Sequence, residues 1–161
     1  MSEMIKAEPA LAERLVRRLQ THDAVASMAS LVGEMAAGKR PIFATGLGTS
    51  EHAAMGIAAL LNDALDLPRG SQVQAIAALD VVRRPPPTGL VIGVTHEGGT
   101  PVTNEALAAA RAAGARTAIV SVSDRSPAAA LAELIVATEE QDQSWCHTVG
   151  YLSPLLVGTV V

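Results

Sequence analysis

The feature that most constrains this chain is a local unit that occurs twice. Positions 41–50 read PIFATGLGTS and run into EHAAMGIAAL. Positions 89–100 read GLVIGVTHEGGT and run into PVTNEAL. Each unit is a short apolar run, a turn rich in Gly, Thr and Ser, and a helix start. A continuous apolar run of this length suits a strand buried on both faces of a parallel sheet. The turn then delivers the chain to a helix N-terminus, where amides lack intrahelical partners and the helix dipole is positive. With hydroxyls alongside, such a turn suits a phosphate. Two of them on neighbouring parallel strands would make a pocket for a small phosphorylated molecule.

The rest of the chain alternates in the same way. Apolar periodicity predicts a helix over 3–20, with Leu11, Leu15 and Leu19 on one face. Thr21, His22 and Asp23 form a break with capping side chains. A second helix runs to about residue 37 with Val25, Met28, Val32 and Met35, Gly38 is placed at its C′ position, and Pro41 opens the first strand. Beyond the first turn, a helix is expected over 50–65, a turn at 67–70, a strand over 71–76 and a short helix over 77–83. Pro85, Pro86 and Pro87 make a stiff connector to a strand over 89–95. A helix over 101–113 has Pro101 first and Gly114 just past its end. A strand over 117–122, a short helix from Ser126 and Pro127, and a strand over 133–137 complete the series. Strand–helix alternation implies a parallel sheet covered by helices on both faces. The last segment, 151–161, is apolar and uncapped; it suits a docked helix, a helix that packs on another chain, or a chain continued by a second half.

Composition excludes several classes of function. Aromatic residues are only 2% of the 161, so the core is aliphatic and base or sugar-ring stacking is not the binding mode. The formal net charge is −4 and the basic residues are scattered, which argues against a nucleic-acid partner. The single cysteine, Cys146, excludes an internal disulfide and fits a reducing compartment. With four scattered histidines there is no zinc-ligand spacing, so no metal is expected, and no cofactor either. Glu3, Lys6 and Glu8 interrupt any leader-like apolar run, and no run reaches the about 18 residues of a membrane span. The expectation is a cytoplasmic protein with no membrane partner.

The turns can be weighed one by one. Gly46, Gly48, Thr49 and Ser50 do not complete a dinucleotide fingerprint, because Glu51 stands where glycine is required. No Gly-Lys-Ser/Thr triplet of a P-loop is present. The turn can therefore be an anion cradle of amides and hydroxyls or an ordinary helix N-cap. In the second turn Thr95, Thr100 and Thr103 place hydroxyls around Gly98 and Gly99, which can aim successive amides inward; Thr100 is also a candidate cap ahead of Pro101. A third polar cluster, SVSDRS at 121–126, follows the next strand. In open α/β sheets ligands bind beyond the carboxyl ends of the strands, where all three turns fall.

These segments resemble the sugar isomerase (SIS) domain family, above all the first SIS half of glutamine–fructose-6-phosphate aminotransferase and related sugar-phosphate isomerases and deaminases. Gly48, Thr49 and Ser50 with His52 and Ala53 match the family's Gly-Thr-Ser turn. Residues 95–100 resemble its Ser-x-Ser-Gly-x-Thr turn. The opening MIKAEP at 4–9 and HTVGY at 147–151, preceded by Glu139, Glu140 and Asp142, are similar to two further family segments. The resemblance implies a three-layer α-β-α sandwich with a mainly parallel, about five-stranded, flavodoxin-like sheet. It divides the chain into a helical segment over 1–38 packing on an SIS domain over 39–161, the first of two in a longer parent chain. It also implies that Gly48, Thr49, Ser50, Thr95, Thr100 and the amides around Gly98 and Gly99 grip a sugar phosphate, with Thr103 and His96 beside them.

Glu97 departs from the family, which often has a phosphate-contacting serine there. A carboxylate beside a phosphate is unfavourable unless a cation lies between them. Glu97 can point away as a solvated loop residue, contact a sugar hydroxyl or amine, or mark a changed ligand. His96 and His147 lie on expected site loops and can hydrogen-bond a sugar or move protons near neutral pH. His52 is expected to be structural, Trp145 a packing residue near the site rim, and Arg83 with Arg84 a solvated pair.

An aldose–ketose isomerization needs phosphate anchoring, a ring-opening acid and a base between C1 and C2. The catalytic candidates here are Glu97, Glu140 and His147, since the resemblance places the family's main acid and base in the second half. Two functions stand side by side: the N-terminal half of a sugar-phosphate isomerase or deaminase, and a non-catalytic or regulatory sugar-phosphate-binding module. The apolar 151–161 segment and the leading helices favour a homo-oligomer, a dimer, in the second. A nucleotide-binding flavodoxin-like domain is a third reading, weakened by the failed fingerprints.

Overall fold

The computed structural model describes residues 2–68, 70–143 and 147–161. Trp145 and Cys146, and what was expected of them, lie outside the described residues.

The central strands are formed where the apolar runs are densest. β1 (Ile42–Gly46), β2 (Gln74–Ala77), β3 (Leu90–Val94), β4 (Arg116–Ser121) and β5 (Leu134–Ala137) pair in parallel in the order β2-β1-β3-β4-β5. Every residue of β3 is buried, as a strand covered on both faces requires. Alternate residues enter two cores. Leu90, Ile92 and Val94 of β3 join Ile42, Ala44, Ala118 and Val120 on one face. Val91 and Ile119 face the other. The expected three-layer, parallel, flavodoxin-like α/β sandwich is the architecture observed.

Four helices cover the first face: α1 (Ser2–Leu19), α2 (Asp23–Ala37), α3 (Thr49–Leu65) and α6 (Thr148–Val160). Leu11, Leu15 and Leu19 of α1 are buried in the same core as Met28 and Met35 of α2 and Ile57 and Leu61 of α3. The second face carries α4 (Ala78–Arg83) and α5 (Pro101–Ala113), with Val81, Ala106, Leu107 and Ala110 against the sheet. A short 3-10 turn, Pro127–Leu131, precedes β5. The apolar C-terminal segment forms most of α6. It docks on α3 and α1 and buries Val149, Ser153, Pro154, Val157 and Gly158, leaving Tyr151 outward.

Helix ends follow their chemistry with one correction. The cap of α2 is His22, whose Nδ1 accepts the Ala24 N–H at 3.1 Å. At its C-terminus the left-handed residue is Lys39 (φ 52°), not Gly38, which keeps φ −76°. Lys39 N–H donates to Ala36 O, and Arg40 N–H reaches back to Met35 O at 2.9 Å. This is the bonding of a Schellman motif, with its C′ one residue later than the glycine suggested. At α5 the expectations hold: Pro101 sits in the first turn and Gly114 takes φ 110° just past the end. β2 begins at Gln74, three residues later than expected. Asn62 of α3 binds both the N–H and the carbonyl of Val73 just ahead of it.

Candidate functional site

The strand order decides where a ligand can enter. β1 runs through α3 to β2 on one side, while neighbouring β3 runs through α5 to β4 on the other. Their turns diverge at the carboxyl ends and leave a crevice between them, the switch point at which open α/β sheets bind ligands. A cavity of about 840 Å³ lies there. Its first wall is the β1–α3 turn with Leu47, Gly48, Thr49 and Ser50. Its second is the β3–α5 turn with His96, Glu97, Gly99, Thr100 and Pro101. Its third is built from Asp142, Gln143, His147 and Gly150, on the segment after β5 and the start of α6.

The first wall is a helix start held open by one glycine. Gly48 has φ 60° and ψ −124°, a conformation that suits glycine alone. Its carbonyl accepts the N–H of Glu51 at 3.0 Å and, at 2.9 Å, is also bonded by Nδ1 of His52. His52 thus braces the N-cap carbonyl from inside the first turn, and α3 has no side-chain cap bond. Thr49 and Ser50 open α3 with their side chains on the cavity, at the positive end of a helix of 17 residues.

In the second wall Thr100 is the N-cap residue of α5 but makes no side-chain capping bond. Its hydroxyl lies 3.4 Å from that of Thr95 instead. Thr95 itself is buried behind the cavity wall, as is Thr103, whose hydroxyl has no hydrogen-bond partner among the described residues. Gly98 (φ 71°) turns its carbonyl to Nδ2 of Asn104 at 3.0 Å and packs its Cα on Ser126. Gly98 therefore shapes the turn from behind, while Gly99 faces the opening.

The third polar turn, 121–126, supports the site rather than lining it. The Ser121 hydroxyl donates to the His96 carbonyl at 3.1 Å, and the Val122 N–H donates to the same oxygen at 2.9 Å. Asn104, Asp142, Gln143 and Gly150 are the contributors that sequence motifs passed over or left unassigned. Only Asp142 carried a signal, as one of the acids ahead of position 147.

Charge is distributed by the same contacts. His96 Nε2 accepts the backbone N–H of Asp142 at 3.0 Å, so Nδ1 carries the ring proton. Burial pushes the imidazole below its usual pKa; the carboxylates of Asp142 and Glu97 oppose this and His147 adds to it. His147 meets His96 edge-on, ring centroids 5.7 Å apart. Asp142 is buried, and its Oδ2 accepts the Gly150 N–H at 2.8 Å. Glu97 is exposed, and its Oε1 accepts Nε2 of Gln141 at 3.1 Å. Glu140 does not line the cavity. Arg14 of α1 grips both its carboxylate oxygens at 2.9 Å. Arg18 holds Glu139 and the Thr138 carbonyl in the same way. Among the described residues no three His, Cys, Asp or Glu side chains gather at metal-binding range, and no helix is long and apolar enough to cross a membrane.

The arrangement defines a class by its fold: the chain has the doubly wound sheet of sugar isomerase domains. Three solved structures share it. The sugar isomerase domain of the RpiR transcription factor from Sphaerobacter thermophilus superposes with a TM-score of 0.69 at 18% identity, covering 99% of this chain and 90% of that one. A proposed sugar-binding protein of Salmonella typhimurium LT2 gives 0.73 at 24%, covering 96% and 46%. Glucosamine-6-phosphate deaminase from Thermotoga maritima gives 0.61 at 16%, covering 92% and 47%. The chain thus spans a little under half the length of the latter two proteins. No protein-family model and no curated protein matches the sequence. Identities between 16% and 24% carry the fold and nothing finer.

Proposed function

We propose that the cavity binds a phosphorylated sugar, with the chain acting as the N-terminal half of a sugar-phosphate isomerase or deaminase. The observation that carries this is the convergence of two helix starts, with Thr49, Ser50 and Thr100, on one cavity of about 840 Å³ at the switch point. First-turn amides and hydroxyls are suited to the phosphate, and the volume is ample for a hexose. Phosphate anchoring by Gly48, Thr49, Ser50, Gly99 and Thr100 leaves the sugar toward His96, Glu97 and His147. Thr95, Gly98 and Thr103 act behind them by holding the turn. Glu97 and His147 are the proton-transfer candidates within the cavity. Glu140 is the weaker candidate because Arg14 holds it elsewhere. Support for a half-protein comes from the Salmonella and Thermotoga proteins, which are about twice as long.

A second reading is a non-catalytic sugar-phosphate-binding module that works as a homodimer inside the cell. It is favoured by the RpiR sugar isomerase domain, of which this chain spans 90%. Leu47, Met55 and Tyr151, all exposed apolar side chains on or next to α3 and α6, suit a subunit contact.

A thermal-shift panel of hexose, pentose and amino-sugar phosphates tests the shared core of both readings. Specific binding raises the melting temperature by linkage. Ser50→Ala and Thr100→Ala should each diminish the shift; an unchanged shift in both would remove the assignment. Sedimentation at micromolar concentration separates the readings, since a monomer with bound ligand argues against the homodimer.

A further inference from the structure

The cavity carries its charge unevenly. One part of its wall is formed by the starts of α3 and α5, and its positive potential comes from backbone amides and helix dipoles. The segment after β5 has the opposite character. Asp142 lines the cavity there. Glu97 departs from the β3–α5 turn, yet its carboxylate is directed to this segment, where it accepts a hydrogen bond from the neutral amide of Gln141. It is exposed and, among the described residues, in no ion pair, unlike Glu139 and Glu140. Among the described residues, neither Lys nor Arg lines the cavity. His96 is held neutral by its acceptor role at Nε2.

A ligand that is anionic throughout would satisfy the helix starts and be repelled at Glu97. A ligand with an anion at one end and a cation at the other would satisfy both. We propose that Glu97 is a specificity-determining residue that pairs with a protonated amine on the ligand, so that the cavity selects an amine-bearing sugar phosphate over its hydroxyl counterpart. This rests on the sugar-phosphate reading above and narrows it to a substrate class. The pairing is a charge-assisted hydrogen bond on the cavity side of Glu97, compatible with the bond its Oε1 already accepts from Gln141.

Glucose 6-phosphate and glucosamine 6-phosphate differ only in the group on C2 and serve as the probes. Their affinities are measured by calorimetry at pH 7 with EDTA present. Glucosamine 6-phosphate should bind about tenfold more tightly, which corresponds to about 1.4 kcal/mol. Glu97→Gln should reduce the preference to about twofold or less while glucose 6-phosphate binds as well or better. The unliganded melting temperature of the variant verifies its fold. Equal affinities in the wild type, or a preference that survives Glu97→Gln, overturns the assignment of Glu97 and leaves the sugar-phosphate reading standing. Binding of both sugars that requires magnesium and disappears in EDTA also overturns it, in favour of a bridging cation. If neither sugar binds under any of these conditions, the sugar-phosphate reading falls and this inference falls with it.

Discussion

The Nε2 atom of His96 accepts the backbone N–H of Asp142 at 3.0 Å, tying the turn after β3 to the segment that closes the cavity from the far side. The two residues are 46 positions apart. Asp142 in turn receives the Gly150 N–H, so one imidazole ring organizes the path from the sheet to the first turn of α6.

This contact predicts an acid-labile site. The folded His96 has a pKa below its unfolded value of about 6.5. The unfolded chain therefore binds the proton more readily, and stability rises with pH through that window. The contribution is complete above the unfolded pKa and is lost as pH falls from there through the folded pKa. Melting temperatures from pH 7.5 to pH 5 should decline more steeply for the wild type than for His96→Gln. Parallel curves would show that His96 does not carry the dependence.

Gly98→Ala should destabilize the chain by about 2 kcal/mol or more, because it combines a left-handed φ with a steric collision. A Cβ at this position would lie 2.4 Å from Cβ of Ser126. Adding Ser126→Gly removes the collision but not the backbone strain. Denaturant unfolding should show partial recovery in the double variant. Full recovery would mean that the φ of 71° costs nothing.

Leu15→Ala tests whether α1 is integral to the core. The side chain is fully buried among the residues of the first face. Truncation should cost about 2–5 kcal/mol. A single unfolding transition shifted as a whole is expected by circular dichroism. Loss of helical signal ahead of the main transition would instead mark α1 as a separately unfolding segment.

Glu140→Gln should leave ligand-induced thermal shifts unchanged, because the carboxylate is occupied by Arg14 away from the cavity. His147→Ala should reduce them, since that ring lines the cavity and packs on His96. A large loss of binding in Glu140→Gln would return this acid to the site.

Much of the fold was legible because its signals are local. Pro101 and Gly114 bracket α5, the leucines of α1 repeat on one face, and LVIGV reads as a strand buried on both sides. The two Gly-rich turns were legible for the same reason: few residues other than glycine adopt φ near 60°–70° where Gly48 and Gly98 sit. Lys39 shows the limit of that rule, taking a left-handed φ although a glycine precedes it. The hydroxyls were harder to sort. Thr100 faces the cavity while Thr95 and Thr103 are buried behind it, which residue type and spacing do not distinguish.

The sequence by itself determined the strand–turn–helix units, their order and the anion-friendly character of the turns, since these depend on backbone preference and hydrophobic pattern over a few residues. Only the tertiary structure decided how the acidic run after β5 is divided. Glu139 and Glu140 turn to Arg18 and Arg14 of α1, while Asp142 turns to the cavity beside Glu97 and His96. The reason is physical: the carboxylates of Glu139 and Glu140 take their direction from arginines more than one hundred positions away, and the backbone of Asp142 is placed by His96, 46 positions away. No local pattern encodes those distances.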